Sequence, residues 1–227
     1  MLGRFLELSV WSRDIAASLA FWEALGFRQG LVGETWKHRY AVLSDGRCIL
    51  GLHEYEFDSP SLTWVRPGLA DALPAIAALG IEFDFAKTGA EQFNEAGFRD
   101  PAGQVVTLLE ARTWSPAFEV MPGATPLGHF REYRYPAADP AAAVSFWERL
   151  GLVAERTPDA PRALAGGINL APRETVAGAE LVFEHPEPLS AGEALRARGH
   201  AAATRQGELL LAAPDGLRLR VIPADDR

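Results

Sequence analysis

Cysteine is almost missing from these 227 residues: Cys48 stands alone. That excludes a disulfide within the chain and any zinc or iron–sulfur site built on several thiolates. Positive charge is also scarce. Twenty-two Lys and Arg oppose 30 Asp and Glu, a net charge of −8, which argues against nucleic acid or an anionic membrane as the main partner. A small anion held by a local arginine remains compatible with this balance. No apolar run approaches the ~20 residues of a membrane span. Met1-Leu2-Gly3-Arg4 opens without the apolar core and cleavage site of a signal peptide, so a cytoplasmic location is expected. Gly-rich phosphate loops, Gly-x-Ser-x-Gly, His-Glu-x-x-His and zinc-finger spacings are absent too. What remains is ordinary globular composition, 48% hydrophobic and 23% charged. The length suits one large domain or two small ones.

An internal repeat decides between these. Asp14, Phe21-Trp22 and Leu25-Gly26-Phe27 recur as Asp139, Phe146-Trp147 and Leu150-Gly151-Leu152, at a constant offset of 125. Helical stretches ending at Gly80 and Gly199 pair at 119, and Asp100-Pro101-Ala102-Gly103 pairs with Ala213-Pro214-Asp215-Gly216 at 113. The offset shrinks along the chain, so the second copy is one design with shorter loops. Domains are expected at 1–111 and 127–227. Residues 112–126, with Pro116, Pro122, Gly123 and Pro126, form the linker.

Each copy reads as strand, helix and three strands, twice. Alternation marks a strand over Phe5 to Trp11, and Asp14 caps a helix through Leu25 that Gly26 ends. Trp36 to Leu43 and Cys48 to Glu54 form a hairpin around Ser44-Asp45-Gly46. Leu62 to Val65 is a strand, Leu69 to Leu79 a helix despite Pro74. Ile81 to Ala86, Gly97 to Arg99 and Gln104 to Glu110 are strands. Gly166-Gly167 reads as a turn or bulge.

These motifs, in order and twice over, resemble the vicinal oxygen chelate superfamily: glyoxalase I, bleomycin-resistance and fosfomycin-resistance proteins, and extradiol dioxygenases. The resemblance implies an α+β fold of two tandem glyoxalase-like domains. Each would be two βαβββ units forming a cup-shaped mixed sheet, with helices outside. It also implies four metal-ligand positions per cup. These fall on Glu7, Gly51, Ser61 and Thr107 in the first copy, and on Glu132, Asn169, Glu180 and Arg220 in the second. Divalent metals want imidazole and carboxylate, and an arginine offers no lone pair. The family's metal is therefore not expected in either cup, and no other cofactor is.

Strand alternation points Phe5, Glu7, Ser9 and Trp11 into the first cup, with Ile49, Gly51, His53, Ser61, Thr63, Val65, Val105, Thr107 and Leu109. Glu7 and His53 are the catalytic candidates, because a carboxyl out of water can act as acid or base and an imidazole can share its proton. Phe5, Ser9, Trp11, Ser61, Thr107 and Phe93 are the ligand-binding candidates, with Asn94 and Phe98 also near the rim. The alternative reading of Glu7 is a polar residue satisfied by His53, Thr107 or an arginine. Trp22 and Trp147 belong to the core. The facing of His38 and Tyr40 is open. The second cup gathers Phe130, Glu132, Arg134, Glu180, Val182, Glu184, Arg218, Arg220 and Ile222. It reads either as a salt-bridged, degenerate interior or as a pocket in which Arg134 or Arg220 clamps an anion.

Three functions follow. One is a bleomycin-resistance-like binder of a small, partly apolar molecule in the N-terminal cup. The second is a metal-independent isomerase or lyase with Glu7 as base. The third, a metal-dependent lyase or dioxygenase, is disfavoured by the ligand positions. A monomer or a homodimer is compatible with two fused cups.

Overall fold

The computed structural model describes residues 1–32, 38–111, 125–157 and 160–224. Most of the expected linker, and Trp36 at the start of the expected hairpin, lie outside the described residues.

The first unit runs β1 (Arg4–Trp11), α1 (Ile15–Ala24), β2 (Arg28–Gln29), β3 (Tyr40–Ser44) and β4 (Ile49–His53). The second runs β5 (Ser61–Arg66), α2 (Leu69–Ala77), β6 (Phe83–Lys87), β7 (Glu95–Arg99) and β8 (Val105–Glu110). The same order returns in β9 (His129–Pro136), α3 (Pro140–Arg149), β10 (Val153–Glu155), β11 (Arg162–Ala165) and β12 (Ile168–Arg173). It closes with β13 (Glu180–His185), α4 (Pro188–Ala197), β14 (Ala203–Arg205), β15 (Glu208–Ala212) and β16 (Arg218–Pro223). Four βαβββ units thus build two eight-stranded mixed sheets, ordered β2-β3-β4-β1-β5-β8-β7-β6 and β10-β11-β12-β9-β13-β16-β15-β14.

Local chemistry explains the repeat. Asp14 and Asp139 accept from the backbone N–H of Ala17 (3.0 Å) and Ala142 (2.9 Å), capping α1 and α3. Gly26 and Gly151 follow these helices with φ of 91° and 98°, which an L side chain resists. α2 stops at Ala77, two residues earlier than its periodicity implies.

One face of each sheet is apolar. Leu8, Val10, Leu50, Leu62, Trp64 and Leu108 are buried there in one core continuous with Tyr133, Trp147, Leu170 and Phe183 of the second copy. α1 and α3 reach across this joint. Trp22 Nε1 donates to Asp215 (2.8 Å), and Trp147 Nε1 donates to Asp100 (3.2 Å) and Tyr135 (2.9 Å). The two tryptophans expected in the core are fully buried, and each also satisfies an aspartate in the other copy's last turn. Among the described residues no helix is long and apolar enough to cross a membrane.

Candidate functional site

The other face of the first sheet is polar, and its strand register assembles one cluster. β1 lies between β4 and β5, pairing Ser9 with Gly51, Trp11 with His53 and Glu7 with Thr63. β3 adds Tyr40 opposite His53, and β8 adds Thr107 opposite Thr63.

Glu7 is the centre, with 1% of its surface exposed. Its Oε1 accepts from Ser9 Oγ (2.8 Å) and faces His53 Nε2 at 2.9 Å. Its Oε2 accepts from the Tyr40 hydroxyl. His53 Nδ1 meets His38 Nε2 at 3.0 Å, and Ser9 Oγ meets Thr63 Oγ1 at 2.7 Å. Donor logic orders the protons. With the Nε2–H of His53 given to Glu7, its Nδ1 accepts from His38. Ser9 spends its one hydrogen on Glu7, so Thr63 donates to Ser9. A carboxylate has about four lone-pair sites, and three are used. The fourth, on Oε2, meets no donor among the described residues.

Electrostatics follow from burial. The Tyr40 phenol is pushed far above its ordinary value by burial, then by the charge of Glu7 and their hydrogen bond. The His38 imidazole is lowered by burial and by His53, against a smaller opposing pull from Glu54. Gly51 makes room for the centre: a Cβ there would sit 2.0–2.4 Å from the Glu7 carboxylate.

The structure brings Glu7, His53 and Ser9 together, with Ser61 and Thr107 hydrogen-bonded to each other at 2.8 Å beside them. Thr63 is the residue opposite Glu7 and Ser61 pairs with Ser9, while the β1–β5 register shifts between Phe5 and Glu7. The same bulge corrects Phe5. It turns Phe5 to the apolar face, where its ring lies edge-on to Trp64 at 5.2 Å. Phe130 is turned likewise, against Phe183 at 5.8 Å, by a matching shift in the second copy. Trp11 stands half-buried at the strand end under the Arg13 guanidinium, 5.6 Å from the ring centroid. Phe93 is 57% exposed, and Phe98 is in the core rather than at the rim. Asn94 donates to Glu110 at 2.5 Å.

Sequence reasoning left His38 and Tyr40 unplaced and missed the aromatic residues around them. Tyr55 stacks on Phe57 (6.3 Å), Phe57 meets His53 edge-on (5.7 Å) and His38 lies by Tyr55 (5.6 Å). Across the sheet Phe85 covers Gly97 on the Thr107 side of the pleat, where a Cβ would meet its ring at 2.3 Å. The signal for Tyr40 was present: a tight hairpin around Asp45 fixes its register opposite His53.

A divalent metal fits this donor set poorly. One carboxylate, a serine hydroxyl, a threonine hydroxyl and a glycine occupy the family's ligand positions. Both nitrogens of His53 are committed to hydrogen bonds. Among the described residues no group of three or more His, Cys, Asp or Glu is placed to hold a metal ion.

The second cup has the same register and opposite chemistry. Glu132, 1% exposed, accepts from Arg134 Nε (2.6 Å), Arg173 Nη2 (3.3 Å) and Arg162 Nη1 (3.4 Å), with Arg131 Nε 3.9 Å away. Glu180 accepts from Arg220 Nε at 2.9 Å, and Arg220 also binds Glu208. The structural counterpart of Gly51 is Ala171, not Asn169: Ser9 pairs with Gly51 and Arg134 with Ala171. Asn169 donates to the backbone oxygen of Arg131 at 2.8 Å.

Two sheets of this order, each a pair of βαβββ units, define the two-domain vicinal oxygen chelate fold. Solved structures of extradiol dioxygenases share it. A catechol 2,3-dioxygenase matches with a TM-score of 0.62 at 15% identity, over 97% of this chain and 87% of that one. The 2,3-dioxygenase LapB from Pseudomonas sp. KL28 matches at 0.61 and 14%, over 97% and 92%. Homoprotocatechuate 2,3-dioxygenase from Arthrobacter globiformis matches at 0.63 and 14%, over 98% and 80%. No protein-family model and no curated protein matches the sequence.

Proposed function

We propose that the N-terminal cup takes a small, partly apolar carbonyl compound and moves a proton beside its carbonyl, as a metal-independent isomerase or lyase. One observation carries this: the buried Glu7 carboxylate is oriented by Ser9, His53 and Tyr40 yet keeps one acceptor site on Oε2. A C–H proton next to the carbonyl passes to that oxygen, and its electron pair moves into the enolate. The enolate then takes a proton back at carbon, or sheds a leaving group. Tyr55 and Phe57 supply flat apolar surface beside His53, as small-molecule sites usually do, and Phe85 lies over Gly97 further along the sheet.

A second reading, binding without turnover, draws on the burial of Glu7, 1% exposed and held by Ser9, His53 and Tyr40. One experiment separates them. A panel of α-hydroxyketones and β-dicarbonyls is incubated with the chain in deuterated water, and C–H exchange is followed by NMR. The expected result is exchange accelerated about 100-fold or more, the reach of a positioned base, and lost in Glu7→Gln with affinity kept. Binding without exchange, weakened by Tyr55→Ala or Phe85→Ala, would establish the second reading.

A further inference from the structure

The second cup encloses a cavity of about 690 Å³, within the range of small-molecule sites. Six guanidiniums line it: Arg131, Arg134, Arg162, Arg173, Arg205 and Arg220. Three carboxylates line it with them, those of Glu132, Glu180 and Glu208. Glu155 and Glu184 bind Arg162 and Arg131 in turn, and the lining itself carries more arginine than acid. This excess sits in an acidic protein. Residues 127–227 hold arginine and no lysine, and the chain has two lysines, Lys37 and Lys87.

We propose that this cavity binds a compact small molecule carrying two or more oxyanion charges, as a phosphate ester or a polycarboxylate does. Glu132 is shared among four arginines. Each guanidinium presents five N–H donors, whereas one carboxylate accepts about four hydrogen bonds, so Glu132 alone cannot satisfy the four arginines around it. Arg205, exposed on β14 at the mouth, makes no ion pair among the described residues. Arg173 is held below the ordinary guanidinium value by burial, and the charges of Arg134, Arg162 and Arg131 push it the same way against Glu132. Arginine forks match the planar or tetrahedral oxygens of such ligands by paired hydrogen bonds. The salt-bridged interior expected from the sequence is therefore present, with more guanidinium than carboxylate along the cavity wall. This site shares no residue with the Glu7 cluster and does not depend on its function.

The test is titration calorimetry of the full chain at low salt, with pyrophosphate and with citrate as probes. Saturable binding of one molecule per chain is expected, and it weakens as salt rises. Preference for pyrophosphate assigns a phosphate-bearing ligand; preference for citrate assigns a carboxylate-bearing one. Arg205→Gln, at an exposed position, weakens binding about tenfold. Glu208→Gln removes a competing carboxylate and tightens it, a change of sign that mere structural damage does not produce. Glu7→Gln leaves it unchanged. Absence of saturable binding by both anions, or equal affinity in the Arg205 and Glu208 variants, would overturn the proposal.

Discussion

Glu7 and Glu132 occupy equivalent positions, 125 residues apart, at equal depth in equivalent sheets. Their surroundings differ completely. Ser9 is replaced by Arg134, His53 by Arg173, Thr63 by Val182 and Thr107 by Arg220 at matching register positions. In both copies the residue two places on binds the same carboxylate oxygen, a hydroxyl at 2.8 Å in one and a guanidinium at 2.6 Å in the other. The backbone therefore decides who touches the glutamate, and the side chains decide what it can do. Neutral donors such as imidazole and phenol can exchange protons with it. Guanidiniums cannot give theirs up, so Glu132 serves as a countercharge. One fold, used twice, surrounds one glutamate with hydroxyl and imidazole groups and the other with guanidiniums.

The contrast breaks most sharply on removal of either charge. Glu132→Gln leaves four guanidiniums around a neutral amide and costs about 4 kcal/mol, as breaking a buried ion pair does. Glu7→Gln leaves neutral donors poorly matched and costs about 2 kcal/mol. Denaturant unfolding measures both. Equal losses, or a larger loss at Glu7, would mean that the two centres hold their carboxylates in the same way.

Gly51→Ala ranks next. Its Cβ would overlap the Glu7 carboxylate, so Glu7 must leave its partners, at about 3 kcal/mol for an overpacked site. The second copy already carries Ala171 at this position, and Ala171→Gly should cost no more than about 1 kcal/mol. A mild Gly51→Ala variant would show that Glu7 does not lie against the β4 backbone.

Much of this was legible in the sequence. Asp caps, terminal glycines and the shrinking offsets give four βαβββ units, because capping and turn chemistry are local. Glu7 and His53 meet because both follow simple alternation. Phe5 was misplaced by a single extra residue: a bulge reverses the pleat, and no local signal announces it. Asn169 was matched to Gly51 by counting, but the intervening loops differ in length, and only pairing to β9 identifies Ala171. Tyr40 needed the hairpin register as well as its own strand. The aromatic residues at Tyr55, Phe57 and Phe85 depend on contacts that alternation does not encode.

The smallest effect concerns pH, and it reads the first copy's network through Tyr40 and His38. The Tyr40 phenol is raised in the folded chain. Its contribution to stability is full below the unfolded value of about 10 and is lost as pH rises beyond it. The His38 imidazole is lowered. Its contribution is intact above the unfolded value of about 6.5 and is lost as pH falls below it. Tyr40→Phe should cost about 1.5 kcal/mol at neutral pH, a hydrogen bond to a charged group. It should also flatten the decline in stability above pH 10 measured by thermal unfolding. Tyr133 and Tyr135, buried at the joint and also raised, keep part of that decline in the variant. An unchanged alkaline slope in Tyr40→Phe would assign the whole decline to the joint and remove the phenol from the proton-handling centre.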